Sequence, residues 1–137
     1  MESSTRRSIL NNLFVAVVDD DESVRESLPD LLREFGFAAH PYSSAKEFLA
    51  SDDINQTKCL VLDIAMPGMT GLDLQRELKA RGQKIPIVFI TASKDESVRA
   101  EALREGAVDV LLKPFSDKAL LEALNKALRS YLGGDVQ

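Results

Sequence analysis

An α/β fold, a doubly wound five-stranded parallel sheet with helices on both faces, is predicted by three features of this sequence. Short apolar runs rich in β-branched residues recur along it, segments of helical period separate them, and the two kinds of element alternate five times. The runs are near-continuously hydrophobic, as strands covered on both faces are. Three layers follow, and right-handed crossovers leave few topologies.

The first run, LFVAVV (13–18), leads into a stripe of Val24, Leu28, Leu31, Leu32 and Phe35 that predicts a helix over 23–35, stopped by Gly36. Ser23 with Glu26 fits a capping box for that helix, and Ser44 with Glu47 fits one for the next. Pro29 falls inside the first helix, where it deletes a backbone hydrogen bond and is expected to kink the axis. FAAHPYS (37–43) is a weaker strand, and Pro41 confines it to a sheet edge. CLVL (59–62) is the third strand, followed by Leu74 and Leu78 in a helix over 71–81 that Gly82 ends. IPIVFI (85–90) is the fourth strand, with the fourth helix around 95–105. VDVLL (108–112) is the fifth, and Leu120, Leu124, Leu128 and Tyr131 then mark a helix over 117–132 closed by Gly133 and Gly134. Residues 1–12 read as an N-terminal arm, 13–132 as one domain, and 133–137 as a tail or the start of a linker.

A chain of 137 residues is long enough to bury one core, and 45% hydrophobic with 28% charged residues is ordinary for a globular domain. Its net charge of −5, without a Lys/Arg cluster, argues against direct nucleic-acid or membrane binding. The single Cys59 excludes an internal disulfide and a Cys-based zinc cluster, and reads as strand filler. His40 reads as an exposed edge-strand residue. MESSTRRSIL carries no apolar signal core and no run approaches transmembrane length, so the expected location is the cytoplasm.

Four of the runs end in polar residues: Val18 into Asp19 and Asp20, Leu62 into Asp63, Ile90 into Thr91, and Leu112 into Lys113. A parallel sheet places all of these C-terminal ends on one edge, where open α/β folds bind ligands. Three carboxylates, a hydroxyl and an ammonium therefore converge. Any one of them alone would be an ordinary loop or strand-end residue. Clustered carboxylates repel one another, and a hard cation such as Mg²⁺ (or Mn²⁺) relieves the repulsion through oxygen ligands. Aspartate can attack phosphorus to give an aspartyl phosphate, while lysine offers phosphate oxygens a point charge and threonine a neutral donor. The set suits phosphoryl transfer to a carboxylate. Asp21 and Glu22, by contrast, read as helix-start residues favoured by the helix dipole.

The stretches VVDDDESVRESL, LVLDIAMPGMTGLDL, FITA and LLKPF, in this order, resemble the receiver domains of bacterial response regulators in two-component signalling. The resemblance covers roughly residues 13–132 and is closest in style to receivers of the nitrogen-fixation regulator class. It implies a flavodoxin-like strand order 2-1-3-4-5, for which receivers are a standing example. It further implies that Asp63 is the phosphoacceptor. Asp20 and the backbone carbonyl of Ala65 would ligate Mg²⁺ with Asp63, and Asp19 would act mainly through water. Lys113 would contact the phosphoryl group, Thr91 would bond it and report it, and the small Ala92 would leave phosphodonors room. Lys113-Pro114 matches a peptide bond that is usually cis in the family. The implied partners are a sensor histidine kinase or histidine phosphotransfer protein and a downstream effector protein or domain. A phosphorylation-dependent homodimer through the face of the fourth helix, fifth strand and fifth helix is a further implied state. No reaction beyond the chain's own phosphorylation and dephosphorylation is implied.

Two features depart from the family pattern. Val110 stands where many receivers carry an aromatic that changes rotamer with the threonine. Ala65 and Ser93 occupy positions that tune aspartyl-phosphate lifetime in the family, and Ala65 has no group to orient an attacking water. Two rival readings remain. DDDES contains D-x-D-x-S, which resembles the nucleophile motif of haloacid-dehalogenase phosphatases, but those enzymes place further acidic residues late, where this chain has Lys113, and carry a cap insertion. A pseudo-receiver acting only as a binding module would be expected to lack Asp63 or Lys113, and both are present.

Overall fold

The computed structural model describes residues 13–129. Five strands, β1 Phe14–Val18, β2 Ala38–Tyr42, β3 Thr57–Asp63, β4 Ile87–Thr91 and β5 Asp109–Leu112, form one parallel sheet in the order β2-β1-β3-β4-β5. Five helices join and cover them: α1 Glu22–Glu34, α2 Ala45–Ala50, α3 Gly71–Ala80, α4 Glu96–Arg104 and α5 Asp117–Ala127. This is the flavodoxin-like strand order. Tyr131, Gly133, Gly134, the N-terminal arm and the C-terminal tail lie outside the described residues.

Alternation along each strand sends neighbouring side chains to opposite faces, which divides the core in two. Val15, Val17, Cys59, Val61, Val88 and Ile90 pack with Leu28, Leu32, Leu120 and Leu124, under α1 and α5. Ala16, Val18, Leu60, Leu62, Phe89 and Val110 pack with Phe48, Leu74, Leu78 and Ala102, under α2, α3 and α4. Burial on both faces explains why β1, β3 and β4 read as unbroken apolar runs. Pro41 does sit on an edge strand, His40 is exposed, and Cys59 is fully buried with its thiol pKa pushed up to about 12 by desolvation.

Several boundaries moved for local reasons. α1 begins one residue early, and its cap is Asp21, whose carboxylate accepts from Ser23 N at 2.9 Å. The Ser23–Glu26 capping box is therefore corrected. Asp21 has the extended backbone a cap requires and leaves Ser23 inside the first turn. Ser44 does cap α2, accepting from Glu47 N at 3.0 Å, but the Glu47 carboxylate accepts from the backbone and hydroxyl of Ser43. Pro29 lies within α1, as expected. β4 starts at Ile87 because Pro86 has no N–H to give, although its carbonyl accepts from Leu60 N at 2.9 Å. β3 starts earlier, at Thr57, whose hydroxyl donates to Asp53 O at 2.7 Å.

The register aligns the polar strand ends. Val18 pairs with Leu62, Asp63 with Ile90, and Thr91 with Leu112. Gly71 locks α3 beneath this edge. Its N–H donates to Ile64 O at 2.9 Å, and a Cβ there would overlap the Asp63 carbonyl oxygen and approach Ile64 Cα to 2.9 Å.

Candidate phosphoacceptor and cation site

The carboxyl edge of β1, β3 and β5 brings Asp19, Asp20, Asp63 and Lys113 together, across a span of 94 residues between Asp19 and Lys113. One carboxylate oxygen from each of the three aspartates lies within 4.8 Å of the others, an arrangement that could hold a metal ion. Asp19 is fully buried and Asp63 nearly so, whereas Asp20 is exposed at the mouth. The site thus has a closed floor and one accessible wall.

Asp19 is held from several sides. Its Oδ2 accepts from Lys113 Nζ at 2.8 Å and its Oδ1 from Asp21 N at 2.9 Å. Its backbone N–H donates to Tyr42 O at 3.2 Å, and its carbonyl accepts from Arg25 Nη1 at 3.0 Å. Arg25 is a contact that sequence reading missed, since a helical arginine carries no periodic or capping signal. Lys113 Nζ is closer to Asp19 than to Asp63, at 2.8 Å against 3.9 Å. The lysine expected at a phosphoryl group therefore rests on a neighbouring carboxylate.

Electrostatics single out Asp63. Burial and the negative Asp19 push its pKa up to about 7, against the opposing pull of the Lys113 ammonium. Burial works against the Lys113 charge, but the hydrogen bond to Asp19 and the surrounding carboxylates outweigh it and hold that pKa above the usual lysine value. The pocket is short of positive charge by its own chemistry, and a divalent cation would supply it.

Thr91 ends β4 one residue beyond the partner of Asp63, and it is buried. Its Oγ1 accepts from Ser93 N at 3.0 Å. Ala65, Ala92 and Ser93 are exposed on the loops above the edge, and Val110 is buried under α4. Lys113-Pro114 is cis, as expected.

A family model described as "Response regulator receiver domain" matches residues 15–125. The chain belongs to that family. Among curated relatives, the response regulator protein TodT of Pseudomonas putida is 43% identical over 117 residues, 84% of this chain and 51% of that protein. Nodulation protein W of Bradyrhizobium diazoefficiens is 46% identical over 81% of this chain and 49% of its own length. The transcriptional regulatory protein FixJ of Rhizobium meliloti is 41% identical over 86% of this chain and 58% of its own. The chain spans about half the length of the curated relatives it matches. Solved structures agree. The response regulator StyR superposes with a TM-score of 0.81 at 45% identity, covering 89% of this chain and 62% of that one. FixJ-N gives 0.78 at 39% identity, covering 85% and 94%. The chain is thus a receiver of the two-component response-regulator type, and among its described residues no helix is long and apolar enough to cross a membrane.

Proposed function

We propose that this receiver, residues 13–132, is a phosphorylation switch in which Asp63 accepts a phosphoryl group from a histidine kinase or phosphotransfer protein. The observation that carries the reading is the buried Asp63 carboxylate in a three-aspartate cluster with the Lys113 ammonium 3.9 Å away. An Asp63 oxygen forms the new O–P bond as the donor's P–N bond breaks, and the donor imidazole leaves with the electron pair. Asp19, Asp20, Asp63 and the Ala65 carbonyl would hold Mg²⁺ or Mn²⁺, which supplies charge neutralisation for the transferring group.

Lys113 exchanges Asp19 for the phosphoryl oxygens, which attract it more strongly. Thr91 turns its hydroxyl from Ser93 N toward the same oxygens, and small Ala92 keeps the approach open. The change is read on the face formed by α4, β5 and α5, by a downstream effector or a second copy of this chain. With Val110 in place of a ring, the face responds by backbone rearrangement between discrete packings. Ala65 and Ser93 flank the bond to be hydrolysed and set its lifetime. Such a protein works in the cytoplasm and turns over no external substrate.

The test is intact mass. With acetyl phosphate and Mg²⁺ the protein gains one phosphoryl group, and Asp63→Asn abolishes the gain. An unmodified wild type, or continuous turnover of a generic phosphate ester, would sink the switch.

A further inference from the structure

Beside Thr91 lies a second, quite different feature. A cavity of about 220 Å³ opens between the end of β4, the first turns of α4 and the outer side of β5, with Thr91, Val98, Arg99 and Val110 among its walls. Only Ala102 of α4 is fully buried, with Val98 packing partly against the core, and hydrogen bonds fasten the helix around the cavity.

Toward the cavity those bonds come in two sets. The first is a ladder along the β4–α4 loop. Thr91 Oγ1 accepts from Ser93 N at 3.0 Å, Ser93 Oγ from Asp95 N at 3.1 Å, and Asp95 Oδ1 from Ser97 N at 2.9 Å. Each rung sits two residues after the last, so the Thr91 hydroxyl is linked through Ser93 to Asp95, the N-cap of α4. The second set is a single bond across the cavity. Arg99 Nη1, on the second turn of α4, donates to Val110 O at 2.7 Å.

β5 is an edge strand, and Val110 is the residue whose backbone faces outward. Its N–H donates to Asp109 Oδ1 at 2.8 Å and its carbonyl accepts from Arg99. Arg99 therefore stands where a neighbouring strand would otherwise bond. Among the described residues no carboxylate lies within ion-pair distance of its guanidinium, so the Val110 carbonyl is its principal polar contact.

We propose that Arg99 is the positioning residue that pins α4 to β5 in the resting state, and that withdrawal of the Thr91 hydroxyl releases α4 against this pin. The inference rests on the Asp63 switch proposed above and adds the element that holds its readout. When Thr91 turns away, Ser93 N loses its acceptor and the ladder opens at its first rung. α4 then keeps Arg99 as its tether to β5, beside the Gln75 and Arg76 contacts that join it to α3, and the cavity gives its N-terminal turns room to move. The pin sets how much of the unphosphorylated protein already has α4 displaced, and so how large a change phosphorylation can produce.

The experiment compares backbone amide shifts of wild type, Arg99→Met and Arg99→Lys, each with and without beryllofluoride and Mg²⁺. Methionine keeps the length of the side chain and loses its donors, while lysine keeps a charged donor. In Arg99→Met without beryllofluoride, amides of 95–104 and 110–112 move along the line from resting to beryllofluoride-bound wild type, with a several-fold rise in the displaced population. Arg99→Lys lies between the two, and signals of 63–65 show unimpaired uptake of the mimic in both variants. Resting shifts in Arg99→Met equal to wild type, or moved off that line, would overturn the pin. A wild type blind to beryllofluoride would instead remove the Asp63 switch and the pin with it, a result distinct from the first.

Discussion

The face of the sheet under α1 and α5 and the α4 end of the opposite face are built differently. On one, α1 buries Leu28, Pro29 and Leu32, and α5 buries Leu120, Ala123 and Leu124 in a continuous apolar layer. On the other, α4 buries only Ala102, flanks a cavity of about 220 Å³, and relies on the Arg76–Glu101 and Lys79–Glu105 ion pairs and the Gln75 bond to Ala102 O for its contacts with α3. Exposed ion pairs contribute little, and segments with few buried apolar groups open most readily. Between these sides sits the aspartate cluster, with Asp19 and Asp63 buried, Lys113 paired with Asp19, and Asp20 exposed at its mouth. The contrast teaches how a small charge change can have a directional outcome. A group added at Asp63 meets one wall that resists and one that yields.

The largest expected effect tests that contrast through stability. Leu124→Ala removes a fully buried side chain from the α5 layer and should cost about 2–5 kcal/mol in urea unfolding. Val98→Ala, at a half-buried side chain of α4, should cost about 1 kcal/mol or less. Equal losses would show that α4 is packed as firmly as α5.

A second effect belongs to the cluster itself. Burial and the neighbouring Asp19 raise Asp63 from 3.8 in the unfolded chain to about 7 in the fold. Between those values the fold holds a proton that the unfolded chain has released, so the metal-free protein loses stability as pH rises through that window. A cation must displace the proton, so Mg²⁺ affinity should climb with pH up to about 7 and binding should release protons. Titration calorimetry in buffers of different ionisation enthalpy reads both. Affinity independent of pH would contradict the raised Asp63.

Much of this architecture was legible from residue order, for identifiable reasons. Strands covered on both faces must be apolar throughout, which exposed β1, β3 and β4. The parallel arrangement then sent Asp19, Asp20, Asp63, Thr91 and Lys113 to one edge whatever their separation along the chain. What escaped notice were interactions with no local pattern. Asp21 displaced Ser23 as the cap of α1 because both are good cap residues and only backbone geometry decides between them. The preference of Lys113 for Asp19 over Asp63, and the bonds of Arg25 and Arg99 to backbone carbonyls, depend on how elements pack together. Periodicity carries no trace of such contacts.

The subtlest effect is also the most direct test of the central claim, that a phosphoryl group on Asp63 acts on the yielding side through Thr91. Amide-resolved hydrogen exchange, with and without beryllofluoride, reports both sides at once in wild type and Thr91→Ala. Exchange should change most across 91–112 in wild type, stay nearly constant across 22–34, and lose most of its change in Thr91→Ala. A response centred on α1, or one of equal size in Thr91→Ala, would contradict the account.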